Sequence, residues 1–166
     1  MRRSLVAGLV LGLALAGADP AAVAASTGGE DPYAPLGLYQ GQWRLTPAGG
    51  AMALEVSNHC ARTGLFFACE QVVDGKPFAL VVFQPTGGTP QRYTYRSQIL
   101  QADGSAPGAW SEVTIEGPHW TYLSQGAVRR RTLNAFSGPD RIHYTVQHSA
   151  DGLSWVTDSE GDEQRL

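Results

Sequence analysis

Short runs in which polar and apolar residues alternate extend through most of this 166-residue chain. Clear examples are residues 92–96, 111–115 and 141–146. Alternation with a period of two is typical of strands that bury one face. No window from Gln42 onward carries the apolar spacing of an amphipathic helix. The pattern therefore predicts an all-β fold.

Turn pairs that contain glycine separate these runs and indicate antiparallel hairpins. Thr63-Gly64, Asp74-Gly75 and Asp103-Gly104 are three of them. We expect about ten strands. They are predicted over residues 42–47, 51–62, 65–73, 76–85, 91–100, 110–116, 119–125, 127–136, 141–149 and 154–165.

A meander of short strands without a covering helix must protect its two edges, and closing the sheet on itself does so. We therefore predict an antiparallel meander closed as an up-and-down barrel of about ten strands. A two-sheet sandwich with Greek-key crossings is the alternative. It would need longer connections than most of these turns offer.

The N-terminus has the features of a signal peptide. Arg2 and Arg3 precede an apolar stretch over residues 5–16, and small residues end at Ala25. This order predicts a cleaved signal peptide at residues 1–25. The chain is then exported, to the periplasm or the extracellular space, and the alternative is an uncleaved anchor.

The segment that follows is small, polar and proline-rich. Residues 26–35 are predicted to form a flexible lead, and residues 36–166 a single β-barrel domain. No second apolar run is long enough to span a membrane.

The two cysteines lie on neighbouring predicted strands. A two-residue turn at Gly64-Leu65 places Cys60 opposite Cys69 in a non-hydrogen-bonded pair, where α-carbons are close enough for a disulfide. Because exported proteins fold under oxidising conditions, we expect this bridge to form. Two free buried thiols are the alternative.

The next hairpin can be aligned in the same way. A two-residue turn at residues 74–75 sets Cys69 opposite Leu80 and Gln71 opposite Phe78, so that apolar sides coincide. On that register the outer face of the strand carries Ala79, Val81 and Phe83.

A tryptophan motif begins the first predicted strand, at Gly41-Gln42-Trp43, and an arginine, Arg165, stands in the last. This pattern resembles the lipocalins and the wider calycin group. The resemblance implies that Trp43 packs against Arg165 as a cation–π pair, and the alternative is an ordinary core aromatic. Residues 151–155 are similar to a hairpin of exported bacterial lipocalin-like domains of unknown function. The strand count favours the ten-stranded fatty-acid-binding and nitrobindin-like barrels.

Three consecutive arginines occupy residues 129–131, and alternation turns at least one of them inward. A four-residue loop at residues 137–140 and a two-residue turn at residues 125–126 both point Arg129 and Arg131 into the lumen. A three-residue loop at either place would instead turn inward Arg130, Thr132, Asn134 and Phe136. A buried arginine needs an anion or water, so an inward pair suggests a ligand carboxylate, unless the arginine reaches solvent at the mouth.

Other polar and aromatic residues share the inward face. They are Asn58, Gln71, Tyr93, Tyr95, Trp120, Tyr122 and Tyr144. Tyrosine and tryptophan combine an apolar body with a polar group, so this lining suits an amphiphilic molecule. A plain packed core is the alternative.

The formal charge of −3 is spread without basic blocks, which excludes an electrostatic footprint for nucleic acid. No metal-ligand spacing, nucleophile motif or phosphate loop occurs. The acidic end from Asp158 to Glu163 lacks calcium-loop spacing, and we interpret it as a solvated strand end. Among the histidines, only His148 is predicted to face the lumen.

These observations favour an exported carrier, not an enzyme, that binds a small hydrophobic or amphiphilic anion without a cofactor or metal. One alternative is a haem-binding or enzymatic nitrobindin-like barrel with His148 as ligand. Another is a cell-envelope protein-interaction module that uses the predicted apolar outer face.

Overall fold

The computed structural model describes residues 31–50, 52–124 and 126–166, and the predicted signal peptide lies outside the described residues. It contains ten strands and one short 3₁₀ helix, Pro35–Tyr39. No helix within those ranges is long and apolar enough to cross a membrane. The strands are β1 Gly41–Pro47, β2 Leu54–Thr63, β3 Phe66–Val73, β4 Lys76–Thr89, β5 Arg92–Gln101, β6 Ser111–Glu116, β7 His119–Ser124, β8 Arg129–Phe136, β9 Arg141–Ser149 and β10 Val156–Arg165.

The ten strands form a closed barrel. Every strand pairs with the next along the chain, and β1 pairs with β10, all antiparallel. Closure gives each described strand a hydrogen-bonded neighbour on both sides, which removes the exposed edges of an open sheet. The predicted all-β meander barrel is confirmed.

The β2–β3 hairpin follows the predicted register. Gly64 has a φ of +57°, which suits glycine in a tight turn, and Thr63 pairs directly with Phe66. Cys60 then lies opposite Cys69, with their α-carbons 4.0 Å apart, and the two form the expected disulfide.

The β3–β4 hairpin departs from the predicted register by one residue. Val73 pairs with Lys76 as the two-residue turn requires, but a bulge beside Pro77 leaves Phe78 as an extra residue. Beyond the bulge Cys69 faces Val81 and not Leu80, since one inserted residue exchanges the two faces of a strand. The predicted outer face was therefore wrong. The residues assigned to it, Ala79, Val81 and Phe83, are buried inside the barrel.

The N-terminal segment closes one end of the barrel. The side chain of Leu36 is fully buried, and Tyr33, within the predicted lead, also joins the core. The Tyr95 hydroxyl donates a hydrogen bond to the carbonyl of Pro32. We refer to this end as the closed end and to the opposite end as the open end.

Candidate functional site

The inward face of β8 differs from the predicted one. Ser124 pairs with Arg130 and Phe136 pairs with Ile142, so five residues of the chain separate the two members of each pair. Both loop lengths differ from the predicted ones by an odd number of residues, and an odd difference exchanges the faces of a strand. Arg129 and Arg131 therefore point outward, which corrects the prediction. Inward on β8 are Arg130, Thr132, Asn134 and Phe136, the stated alternative.

The two outward arginines contact protein groups. The Arg131 guanidinium lies 4.1 Å from the centre of the Trp155 ring, and its Nε donates to Gln147 Oε1 over 2.7 Å. Arg129 lies against Gly152, where any added Cβ would collide with its guanidinium. These contacts hold the connection between β9 and β10 on the outside of the barrel.

A cavity of about 440 Å³ occupies the half of the barrel toward the open end, and we call it the lumen cavity. Ile99 is 44% exposed although it pairs with the buried Val81, because it faces this space. Its apolar lining includes Leu45, Val81, Phe83, Ile99 and Val146. Its polar lining includes Tyr39, Gln71, Tyr122, Asn134, Tyr144 and Glu163, with Arg130 and Arg131 at the rim.

The residues predicted to bind a ligand divide into two layers. Gln71, Tyr122 and Tyr144 line the lumen cavity. The others with inward side chains are packed nearer the closed end, in the buried core. They are Asn58, Tyr93, Tyr95 and Trp120.

The amides near the closed end are hydrogen-bonded within the protein. Gln71 Nε2 donates to the Tyr39 hydroxyl over 3.2 Å and to Asn58 Oδ1 over 3.0 Å. Asn58 Nδ2 and Trp43 Nε1 both donate to the Tyr39 carbonyl over 3.2 Å. This network holds Tyr39 in place above the core. The Tyr39 ring then forms the floor of the lumen cavity.

Two groups that line the lumen cavity have no such partner. Within the described part of the chain, the Tyr122 hydroxyl and Asn134 Oδ1 are buried without a hydrogen bond. Trp120 Nε1, in the core below, shares this property. Each unpaired buried polar group costs about 1 to 3 kcal/mol. A bound molecule with complementary groups would remove this cost for Tyr122 and Asn134.

One carboxyl group inside the barrel, that of Glu163, was not predicted from the sequence. Glu163 pairs with Leu45 and Ile142, lines the lumen cavity, and is not part of a solvated strand end. Burial raises the pKa of its carboxyl from 4.5 to about 7. Alternation could have revealed it, since Glu163 stands two residues before Arg165, which was expected to reach the tryptophan of the first strand.

The rim of the open end carries a charged cluster. Arg130 is 66% exposed and lies 4.0 Å from Asp158, whose other carboxylate oxygen is 2.6 Å from His148 Nδ1. His148 pairs with Arg130, so both lie at the same level of the barrel, and the lining of the lumen cavity does not include His148. Among the described residues, no group of three or more histidine, cysteine, aspartate or glutamate side chains could hold a metal ion.

A larger depression, of about 670 Å³, lies on the outer face of β5 and β6. Its prominent side chains already have partners. Arg96 stacks 4.8 Å from the Trp110 ring centre and donates to Gln84 over 2.8 Å, and Thr94 accepts a hydrogen bond from Thr86. The lumen cavity, with its unpaired polar groups, is therefore the candidate site.

Two solved structures are similar to this chain at low sequence identity. The solved structure of Rv2717c from M. tuberculosis is 16% identical, with a TM-score of 0.40, over 83% of this chain and 99% of that one. That of EF1p2_mFAP2b bound to DFHBI is 15% identical, with a TM-score of 0.30, over 79% of this chain and 96% of that one. No protein-family profile and no curated protein matches the chain. Membership of the lipocalins or calycins therefore stays a prediction.

Proposed function

We propose that this chain is an exported protein that binds a small hydrophobic or amphiphilic molecule in the lumen cavity. The observation that carries the proposal is a cavity in which apolar walls surround two buried polar groups, on Tyr122 and Asn134, that lack partners in the described chain. Small-molecule sites typically combine a mostly apolar lining with a few such orienting groups.

The size of the cavity agrees with this role. Its volume of about 440 Å³ lies within the range of ligand pockets, about 300 to 1,000 Å³. Val81, Ile99 and Val146 supply apolar contact on several sides. A molecule of roughly ten to twenty heavy atoms fits this volume and this mixture of surfaces.

The expectation that the ligand is an anion depended on Arg129 and Arg131 pointing into the lumen. Both side chains point outward, so they do not support an anion inside the cavity. Arg130 is the cation that remains on the inward side of β8, at the rim and near Asp158. An anionic group is thus supported at the mouth of the cavity, whereas the interior holds Glu163.

Export is supported by two independent features. The predicted signal peptide at residues 1–25 directs secretion, and the Cys60–Cys69 disulfide suits an oxidising compartment. We propose the periplasm or the extracellular space as the location.

The test is a titration of the protein with N-phenylnaphthylamine, an uncharged probe whose fluorescence rises in apolar surroundings. We expect saturable binding that Ile99→Trp weakens at least about tenfold, because the larger ring fills the cavity. Leu100→Trp is the matched control, because Leu100 is next to Ile99 on β5 and its side chain points outward. Absence of saturable binding, or equal effects of the two variants, would contradict the proposal.

A further inference from the structure

Among the described residues that line the lumen cavity, Glu163 is the one with a carboxyl group. No described residue forms a hydrogen bond or an ion pair with it. Burying a carboxylate without a partner is costly, so chains rarely keep one inside unless it has a role. Gly161, two residues earlier on the same strand, leaves room for the Tyr144 hydroxyl beside it.

The surroundings of Glu163 are rich in hydrogen-bond acceptors and aromatic rings. Asn134 is only 6% exposed, and its Oδ1 is an unpaired acceptor. Tyr39, Tyr122 and Tyr144 line the lumen cavity together with Glu163. Burial raises the pKa of each tyrosine, and the charge of Glu163 raises it further. The described interior thus offers negative charge and π-faces.

The cations of the site are engaged elsewhere. Arg130 at the rim faces Asp158, and Arg131, also at the rim, contacts Trp155 and Gln147. Neither guanidinium forms an ion pair with Glu163. The interior of the lumen cavity therefore has a negative group without a matching positive one.

We propose that the lumen cavity selects a small apolar ligand that carries a protonated amine, with the ammonium bound by the Glu163 carboxylate and the Asn134 amide oxygen. This inference rests on the proposed function and names its ligand class. An ammonium group offers three donors and no acceptor, which complements a carboxylate and an amide oxygen. Nearby tyrosine rings add cation–π attraction.

Binding of such a ligand depends on pH through Glu163. The titratable or charged groups that line the cavity with it are Tyr39 from the 3₁₀ helix, Tyr122 from β7, Arg130 and Arg131 from β8 and Tyr144 from β9. The tyrosines stay neutral near neutral pH, because burial raises their pKa. Glu163, with a pKa of about 7, changes charge in this range, and its protonated form cannot pair with an ammonium. Amine affinity should therefore fall as the pH falls below about 7.

The experiment compares octylamine, octanol and octanoate, which share one apolar chain, as competitors of bound N-phenylnaphthylamine. At about pH 8, where octylamine is protonated like a lysine side chain, we expect it to bind at least about tenfold more tightly than octanol. Glu163→Gln should remove this preference, so that octylamine and octanol then compete about equally. Glu160→Gln, on the outer face of the same strand, should keep the preference.

The outcomes separate this inference from the proposed function. If the probe binds but octylamine is no better than octanol, or if Glu163→Gln retains the preference, the amine proposal is overturned while lumen binding stands. Tighter binding of octanoate would also overturn it, in favour of an anion at Arg130. If the probe does not bind, the proposed function itself fails.

A measurement on the unaltered protein covers the case in which Glu163→Gln does not fold. The octylamine preference over octanol should shrink about tenfold between about pH 8 and about pH 5.5, as Glu163 takes up a proton. A preference that is constant over this range would overturn the proposal.

Discussion

Arg165 joins the last strand to the segment that closes the barrel. Its guanidinium nitrogens donate to the carbonyls of Leu38 over 2.7 Å, Gln40 over 2.5 Å and Pro139 over 3.0 Å. The same group lies 4.3 Å from the centre of the Trp43 ring, which is the contact that the resemblance to lipocalins implies. A planar guanidinium satisfies three carbonyls and one ring face at once, which an ammonium cannot do.

We therefore expect Arg165→Lys to lower the free energy of unfolding by about 2 kcal/mol. Arg44→Lys is the control, because Arg44 forms an exposed ion pair with Glu55 and should change stability by less than about 0.5 kcal/mol. Urea unfolding of the three proteins measures both values. If Arg165→Lys lowers the free energy of unfolding no more than Arg44→Lys does, the closed end does not depend on the contacts of the Arg165 guanidinium.

Residue pairs close to a well-defined turn could be predicted from the sequence. Cys60 and Cys69 are four and five positions from Gly64. No bulge lies between the turn and this pair, so the count holds. The inward arginine could not be predicted, because it depends on loop lengths that alternation alone does not determine. Tyr39 was missed because its position depends on a chain segment that folds back into the barrel.

At the scale of the strand, β4 shows how one bulge changes a face. Phe78 is 50% exposed at the bulge, whereas Phe83 is fully buried. Proline has no N–H to donate, which favours a ladder interruption near Pro77. The sequence showed the proline and the turn, but not that the ladder would resume with one residue skipped.

The two phenylalanines of β4 provide a matched test of this register. Phe83→Ala should destabilise the protein by about 3 to 5 kcal/mol, as truncation of a buried ring does. Phe78→Ala should cost less than about 1 kcal/mol, because much of this ring is in solvent. Denaturant unfolding measures the difference, and a larger loss at Phe78 would restore the register expected from the sequence.

At the scale of the whole molecule, the strand order could be predicted and the state of the lumen could not. Turns between consecutive strands occur at short intervals, and they permit little besides a meander. Whether the interior is filled depends on which face each strand turns inward. The exchanged faces of β4 and β8 bring Val81 and Asn134 inside and remove Arg131, and the result is a cavity whose polar groups differ from the predicted ones.

Intermolecular nuclear Overhauser effects report directly whether a small molecule binds inside the barrel. With isotope-labelled protein and unlabelled N-phenylnaphthylamine, we expect contacts from the probe to the methyl groups of Val81 and Val146. The outward methyl groups of Leu80 and Leu100 should show none. Contacts at the outward leucines, with none at the two valines, would place the probe on the outer surface and contradict the account.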